Sequence, residues 1–382
     1  MERTTDGPKD VAKGASLGLA EDNVKLVEKF GAARVSELAS TPDFYTFTNG
    51  LMHSHRDFHL FYARLLKGER SAVVSGLNAS GTIHFGHIPV LDTNMFFQRE
   101  HGAEVFIPIS DDESYVSLKV KTQEEALGHA LRLARSMLAY GFDRKKTHII
   151  IDQLYTNIYN TAIKLSRGIT MSELKSVYSY TNDQNIGLHF YPAIQSAHIV
   201  LPHEFGIRNT VVPIGPDEDA HLRVCRDVAG KFGYEKPAVL HSMFLPGLDG
   251  SKMSKSKGNA IFLLDSDKEI RRKIMSAFSG GQASVEEHRR LGGNPDVDVS
   301  YLYLRAYFLK PAESRRLYED YRKGRLLSGE IKQMFLERMM KRVDEFKQRY
   351  EKVTPDDIAR ILLKNEDVDV LALIDKLDVF DA

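Results

Sequence analysis

The chain has 382 residues, 42% of them hydrophobic and 27% charged, which is enough for two or three domains with a sizeable core. Lys plus Arg and Asp plus Glu both number 52, so the formal net charge is zero, and any nucleic-acid surface must come from local asymmetry. The single cysteine, Cys225, excludes an internal disulfide framework and a cysteine-rich zinc site. No apolar run approaches about 18 residues, so a cytoplasmic protein with no membrane partner is expected.

Residues 1 to about 18 are rich in Gly, Lys and Asp and are expected to be disordered. Residues 21–70 read as a mostly helical extension ending in Ser54-His55-Arg56-Asp57 and a helical pattern over 58–66. Ser71 to Ser75 reads as a buried strand, Gly76 to Gly81 as a tight turn, and a helix follows from about Ile83. Strand, turn and helix start together form the phosphate cradle of a doubly wound sheet. Residues 104–109 predict a strand, and 122–140 a helix with capping-box spacing between Thr122 and Glu125 and a stop at Gly141. Further strands are predicted over 148–151, 210–215 and 238–241, an alternation that argues for a parallel sheet covered on both faces.

Beyond residue 276 helix signals take over. Ile331, Phe335, Met339, Val343 and Phe346 form one stripe, with Glu337–Lys341 and Glu345–Arg349 at i,i+4 spacing. Residues 301–352 hold 14 Lys or Arg against 8 Asp or Glu, a net of +6; residues 353–382 hold 3 against 8, a net of −5. The basic stretch suits a phosphate backbone, or it solvates exposed helix faces. The domain division expected is therefore 1–70, a helical amino-terminal extension; 71–275, a Rossmann-like α/β domain with an insertion at about 112–205; and 276–382, an all-α domain with an acidic tail.

Two short motifs carry chemistry. Lys252-Met253-Ser254-Lys255-Ser256 lies between Gly250 and Gly258. Two lysines three apart on a loop can follow the charge that builds on pyrophosphate as it leaves ATP; the plainer alternative is a solvated basic loop. In His84-Phe85-Gly86-His87, Gly86 leaves its backbone open to an adenine, and the flanking imidazoles can donate to phosphate and ribose oxygens. The alternative there is a helix cap with two hydrogen-bonded histidines. In this order the two motifs resemble the signatures of class I aminoacyl-tRNA synthetases.

The resemblance sharpens further along. Residues 277–281, Val285 to Arg289 and Gly292 to Tyr301 are very similar to the segment after the lysine loop in tryptophanyl-tRNA synthetases of archaeal and eukaryotic type. Ser54 to Asp57 and Tyr191-Pro192-Ala193-Ile194-Gln195 match that family too, and the likeness spans roughly residues 21–352. It implies activation of tryptophan by ATP with Mg²⁺ arriving on the nucleotide, transfer to tRNA(Trp), a homodimer, a helical anticodon-binding domain, and no DNA partner. His84, His87, Lys252 and Lys255 take the catalytic positions. Gly86 and Met253 join them around the nucleotide, and Gly215 and Asp217 match the ribose-binding pair. Asp217 could instead cap the next helix. Glu113, Gln195 and Glu218 match positions that hold the substrate ammonium, although Asp111, Asp112 and Glu113 in a row could hold a metal or form a solvated turn.

Three positions depart from the family. Its usual Tyr at the end of the first strand is Val74, its usual Gln before the acidic strand end is Pro108, and its Gln between two Asp is Glu218. Val and Pro side chains cannot accept an indole N–H, so another acceptor is required, with Ser75, Ser110 and Glu113 as candidates. The alternatives this leaves are a relative that charges tyrosine or another aromatic amino acid, and a tRNA-independent adenylyltransferase.

Overall fold

A computed structural model describes residues 25–253 and 257–380. The expected disorder of the first residues lies outside the described residues. Chain contacts divide the protein into two units: one takes the chain up to Ser54, His84–Pro89 and Ser242–Lys347, the other His55–Ile83, Val90–His241 and the chain from Gln348.

The described strands are β1 (Ala33–Arg34), β2 (Met52–Arg56), β3 (Ser71–Val74), β4 (Leu77–Asn78), β5 (Glu104–Ser110), β6 (Thr147–Ile151), β7 (Asn209–Ile214), β8 (Ala238–Ser242) and β9 (Leu362–Leu363). In the second unit they run β8-β7-β3-β5-β6-β9, with β4 beside β5, and every one of these pairings is parallel. From β3 the chain builds outward through β5 and β6, then returns to add β7 and β8 on the other side. This is the doubly wound Rossmann order, and its switch point lies between β3 and β7. Ala72, Val73, Ile107, Ile149 and Val211 are fully buried, as a sheet covered on both faces requires. The core continues through Val74, Phe106, Tyr191, Ile194, Val212, Leu222 and Val239.

Local chemistry sets the helix ends. In helix Gln123–Tyr140 the Thr122 Oγ1 accepts the Glu125 N–H at 3.0 Å, and Gly141 closes the helix at φ 109°. Glu125 reaches back to the Lys121 N–H (2.8 Å) instead of the Thr122 N–H, one residue short of a full capping box. The helix expected from Ile83 begins at Ile88, because His84 first caps a separate turn of 3-10 helix. Two strands carry little sequence signal. Met52-His53-Ser54-His55-Arg56 is polar, and Leu362–Leu363 is only two residues long at the end of a helix, pairing parallel with β6.

In the first unit, helices Val299–Tyr307, Pro311–Arg322 and most of Ser328–Tyr350 pack together. Ile331, Phe335, Met339, Val343 and Phe346 are all buried, as their spacing predicts. Of the paired charges expected on that helix, Glu337 accepts from Gln333 Nε2 (2.9 Å). Arg349 donates from Nε to the Ala139 carbonyl (2.7 Å). The segment that follows the lysine loop is a packing knot. Asp298 caps helix Val299–Tyr307 through the Tyr301 N–H (3.0 Å) and also accepts from the Gly280 N–H (3.1 Å) and the Tyr321 hydroxyl (2.9 Å). Gly292 has φ 74°, and a Cβ there would lie 1.8 Å from the Arg322 carbonyl oxygen, so only glycine fits.

Candidate active site

In the first unit the His84 ring accepts the Gly86 N–H at Nδ1, and the His87 ring accepts the His84 N–H at its own Nδ1, both at 3.1 Å. A nitrogen that accepts carries no proton, so these backbone donors assign the proton of each neutral ring to Nε2, as a donor. The two rings stack with centroids 3.9 Å apart. The cap and the donor pair are therefore one device, because the cap bonds fix the tautomers that make both rings donors. Phe85 is fully buried and anchors the turn, and its N–H donates to the Ile261 carbonyl at 2.9 Å.

A Cβ on Gly86 would lie 3.0 Å from the Met253 Sδ and 3.0 Å from atoms of the His84 ring. The turn and the lysine loop thus meet at a glycine where an added side chain would press on the Met253 sulfur and the His84 ring. The loop is closed at its base by an antiparallel bridge between Pro246 and Lys252 and by the Gly247 N–H on the Ser251 carbonyl (2.6 Å). Asn259, which no sequence signal singles out, donates from Nδ2 to Asp249 Oδ1 (2.8 Å) and to the Lys252 carbonyl (3.1 Å). Burial raises the Asp249 carboxyl, but its bonds from Ser251 and Asn259 outweigh this and hold it below its ordinary value. The Lys252 side chain is exposed, with Nζ 4.8 Å from the Phe244 ring centroid. Ser254, Lys255 and Ser256 lie outside the described residues.

In the second unit the remaining sequence-derived residues gather at the carboxyl edge of the parallel sheet. Gly215 caps the 3-10 turn Pro216–Glu218 just after β7, leaving Asp217 and Glu218 accessible to solvent. Gln195 Nε2 contacts Glu218 Oε2 at 3.4 Å, while Gln195 Oε1 is buried with no hydrogen-bond partner. The protein packed around Glu218, and then the Asp217 charge, raise its pKa. Glu113, just past β5, is held by Asn78 Nδ2 and by Lys119 Nζ at 2.8 Å. Burial raises the Tyr180 and Tyr191 hydroxyls, and the Glu113 and Glu218 charges add to it, which places both carboxylates near the same two rings. Tyr191 Oη donates to Ser110 Oγ at 3.0 Å, and both residues are buried, as is Ser75. Asn78 and Tyr191 as a hydroxyl donor escaped sequence reasoning, because each acts on a partner brought close only by the fold, 35 and 81 residues away; Lys119, six residues from Glu113, carries no motif that marks it.

Oxygens of Asp111, Asp112 and Asp152 lie within 4.8 Å of one another. Asp111 is occupied by the Asp152 N–H (2.8 Å) and Gln153 Nε2 (2.6 Å), and His198 Nε2 sits 2.6 Å from Asp152 Oδ1. Burial raises Asp112 and Asp152 well above the ordinary range, and burial pushes His198 down to about 4. Burial and the neighbouring carboxylates thus act together against charging all three acids at once.

Residues 66–344 match the family model described as tRNA synthetases class I (W and Y). The chain belongs to the class I tRNA synthetases of the tryptophan and tyrosine group. Tryptophan–tRNA ligase 2 of Halobacterium salinarum is 40% identical over 345 residues, covering 88% of this chain and 89% of that protein. The cytoplasmic tryptophan–tRNA ligase of Saccharomyces cerevisiae is 33% identical over 94% of this chain and 89% of its own length. The solved tryptophanyl-tRNA synthetase of Aeropyrum pernix superposes with a TM-score of 0.83 at 30% identity, covering 92% of this chain and all of that one. Class I synthetases use ATP. The synthetase carries both class signatures in the same unit, and among its described residues no helix is long and apolar enough to cross a membrane.

Proposed function

We propose that the chain activates tryptophan with ATP and charges tRNA(Trp). The observation that carries this is the approach of Gly86 to Met253, which joins the two class signatures in a chain 40% identical to a tryptophan–tRNA ligase. The relatives named above are tryptophan enzymes, which speaks against a tyrosine-charging or tRNA-independent alternative.

In the first step a tryptophan carboxylate oxygen attacks the α-phosphorus in line. The bond to the bridging oxygen breaks, and pyrophosphate leaves with its electron pair, giving tryptophanyl adenylate. His84 and His87 donate from Nε2–H to phosphate oxygens, and Lys252 and Lys255 follow the charge on the departing pyrophosphate. Gly215 and Asp217 hold the ribose, with the Asp217 carboxylate accepting from its hydroxyls. Glu113, Gln195 and Glu218 hold the substrate ammonium; Glu218 stands where an amide is usual, and a carboxylate holds a cation at least as well. ATP enters with Mg²⁺ as substrate. In the second step a hydroxyl of the tRNA terminal adenosine attacks the carbonyl carbon and AMP leaves.

The indole N–H needs an acceptor that Val74 and Pro108 do not offer. Ser110 Oγ and Tyr191 Oη, buried and joined to each other, are the acceptors nearest in character to what is required. The division into an extension over 1–70, a catalytic domain over 71–275 and a tRNA-reading helical domain over 276–382, together with a homodimer in the cytoplasm, completes the proposal. The test is aminoacylation of a tRNA(Trp) transcript with labelled tryptophan. Charging supports the assignment, and a chain that forms adenylate but charges no tRNA would refute it. Lys255→Ala should cut the activation rate by roughly a hundredfold or more with little change in tryptophan affinity; unchanged turnover would remove Lys255 from its role.

A further inference from the structure

Helix Val299–Tyr307 carries three buried tyrosines whose hydroxyls go to different places. Tyr301 Oη turns back into the helical bundle, 3.1 Å from Ser314 Oγ. Tyr307 Oη donates to the Phe85 carbonyl at 2.9 Å, and Tyr303 Oη donates to the Pro246 carbonyl at 2.9 Å. Residues 303 and 307 are one helical turn apart and share a face. The Phe85 carbonyl and the Gly86 N–H belong to one peptide unit. Tyr307 holds its oxygen, and His84 Nδ1 holds its N–H. The Pro246 carbonyl and the Gly247 N–H are likewise one unit. Tyr303 holds its oxygen, and the Ser251 carbonyl holds its N–H. A planar peptide bonded at both ends cannot rotate without losing one of the bonds.

We propose that Tyr303 and Tyr307 are positioning residues for amino-acid activation, pinning the base of the lysine loop and the histidine turn to one face of one helix. Tyr307 acts through His84: by fixing the peptide whose N–H fills His84 Nδ1, it keeps His84 Nε2–H the donor and aims it. Tyr303 acts through the Pro246–Gly247 peptide, which sets where the loop leaves its bridge and so where the lysines start. This rests on the reading that these two segments handle ATP.

The test compares the full chain with Tyr301→Phe, Tyr303→Phe and Tyr307→Phe in tryptophan-dependent pyrophosphate exchange, with ATP binding followed by calorimetry and melting followed in parallel. All three substitutions remove one hydroxyl from the same helix, so comparable losses of thermal stability are expected. Tyr303→Phe and Tyr307→Phe should each lower the exchange kcat about tenfold with the tryptophan KM within about twofold of the unsubstituted chain, while Tyr301→Phe keeps the unsubstituted rate. Exchange rates that track melting temperature alike in all three variants would overturn the proposal by itself. An unsubstituted chain that neither binds ATP nor exchanges pyrophosphate would overturn the functional reading and this proposal with it.

Discussion

A methyl group built on Gly86 would meet the Met253 Sδ at 3.0 Å, so the two segments that define this class approach at a point where an added side chain must push its neighbours aside. Gly86→Ala should cost about 1–3 kcal/mol of activation, seen as a raised ATP KM and a lowered exchange rate with tryptophan affinity unchanged. Met253→Ala in the same chain removes the obstructing sulfur and should restore part of the loss, a non-additivity that a double-mutant cycle measures. Strictly additive losses would mean that the contact has no bearing on the reaction.

Tyr191→Phe and Ser110→Ala each remove a hydroxyl from the buried pair proposed to receive the indole N–H. Each should raise the tryptophan KM by about tenfold or more and leave the ATP KM in place, because a buried N–H without an acceptor costs roughly 1–3 kcal/mol. Equal losses for tryptophan and ATP would remove the pair from substrate recognition.

Asp219 joins residues far apart in the chain. Arg56 donates to it through Nε (2.8 Å) and Nη2 (2.9 Å), and His241 Nε2 lies 2.9 Å from its Oδ1. Burial alone would raise its pKa, but the bonds from His241 and Arg56 reverse this and hold it well below the ordinary 3.8. A depressed carboxyl contributes stability above its unfolded pKa and loses it as pH falls through its folded one. Asp219→Asn should therefore cost about 3 kcal/mol in urea unfolding at pH 7, with the gap to the unsubstituted chain closing progressively below about pH 4. A gap that stays constant to pH 3 would show that the charge is not the stabilising feature.

Asp112 and His198 have opposite signs. Burial raises Asp112, so its contribution is present at low pH and is lost as pH rises through its folded pKa. Burial lowers His198 to about 4, so its contribution is present above about 6.5 and is lost as pH falls toward 4. Asp112→Asn removes the cost of ionising this carboxyl, and its stability relative to the unsubstituted chain should rise as pH increases from about 4 in denaturant titrations. A relative stability that falls with pH would reverse the assignment.

Arg315 and Arg316 are exposed on helix Pro311–Arg322 in the basic stretch of residues 301–352. If that stretch meets a phosphate backbone, charge reversal at both should lower kcat/KM for tRNA about tenfold and flatten its salt dependence, with tRNA-independent exchange untouched. No change in tRNA kinetics would leave these charges as solvation of an exposed face.

What the sequence discloses of all this depends on distance along the chain. The histidine turn, the lysine loop, the Thr122 cap and the Ile331 to Phe346 stripe are local patterns, legible because their partners lie within a few residues. Arg56 and Asp219 are 163 residues apart, and Ser110 and Tyr191 are 81 apart, so their bonds exist only once the sheet has formed. Met52–Arg56 became a strand against its polar composition, since burial of Met52, Ser54 and His55 overrides propensity. The family likeness, in turn, named Ser54 to Asp57 without a reason. Arg56 on Asp219, and Asp57 on Arg226 at 2.6 Å, supply one: the motif clamps helix Asp219–Lys231 beside the proposed ribose-binding turn.

The most direct measurement is pyrophosphate exchange into ATP by the purified full chain, without tRNA, given tryptophan, tyrosine and phenylalanine in turn. Exchange that depends on tryptophan and is at least a hundredfold weaker with the other two is the predicted result, because it requires both working signatures and a substitute acceptor for the indole N–H. Exchange supported equally by tyrosine or phenylalanine, or by none of the three, would contradict it.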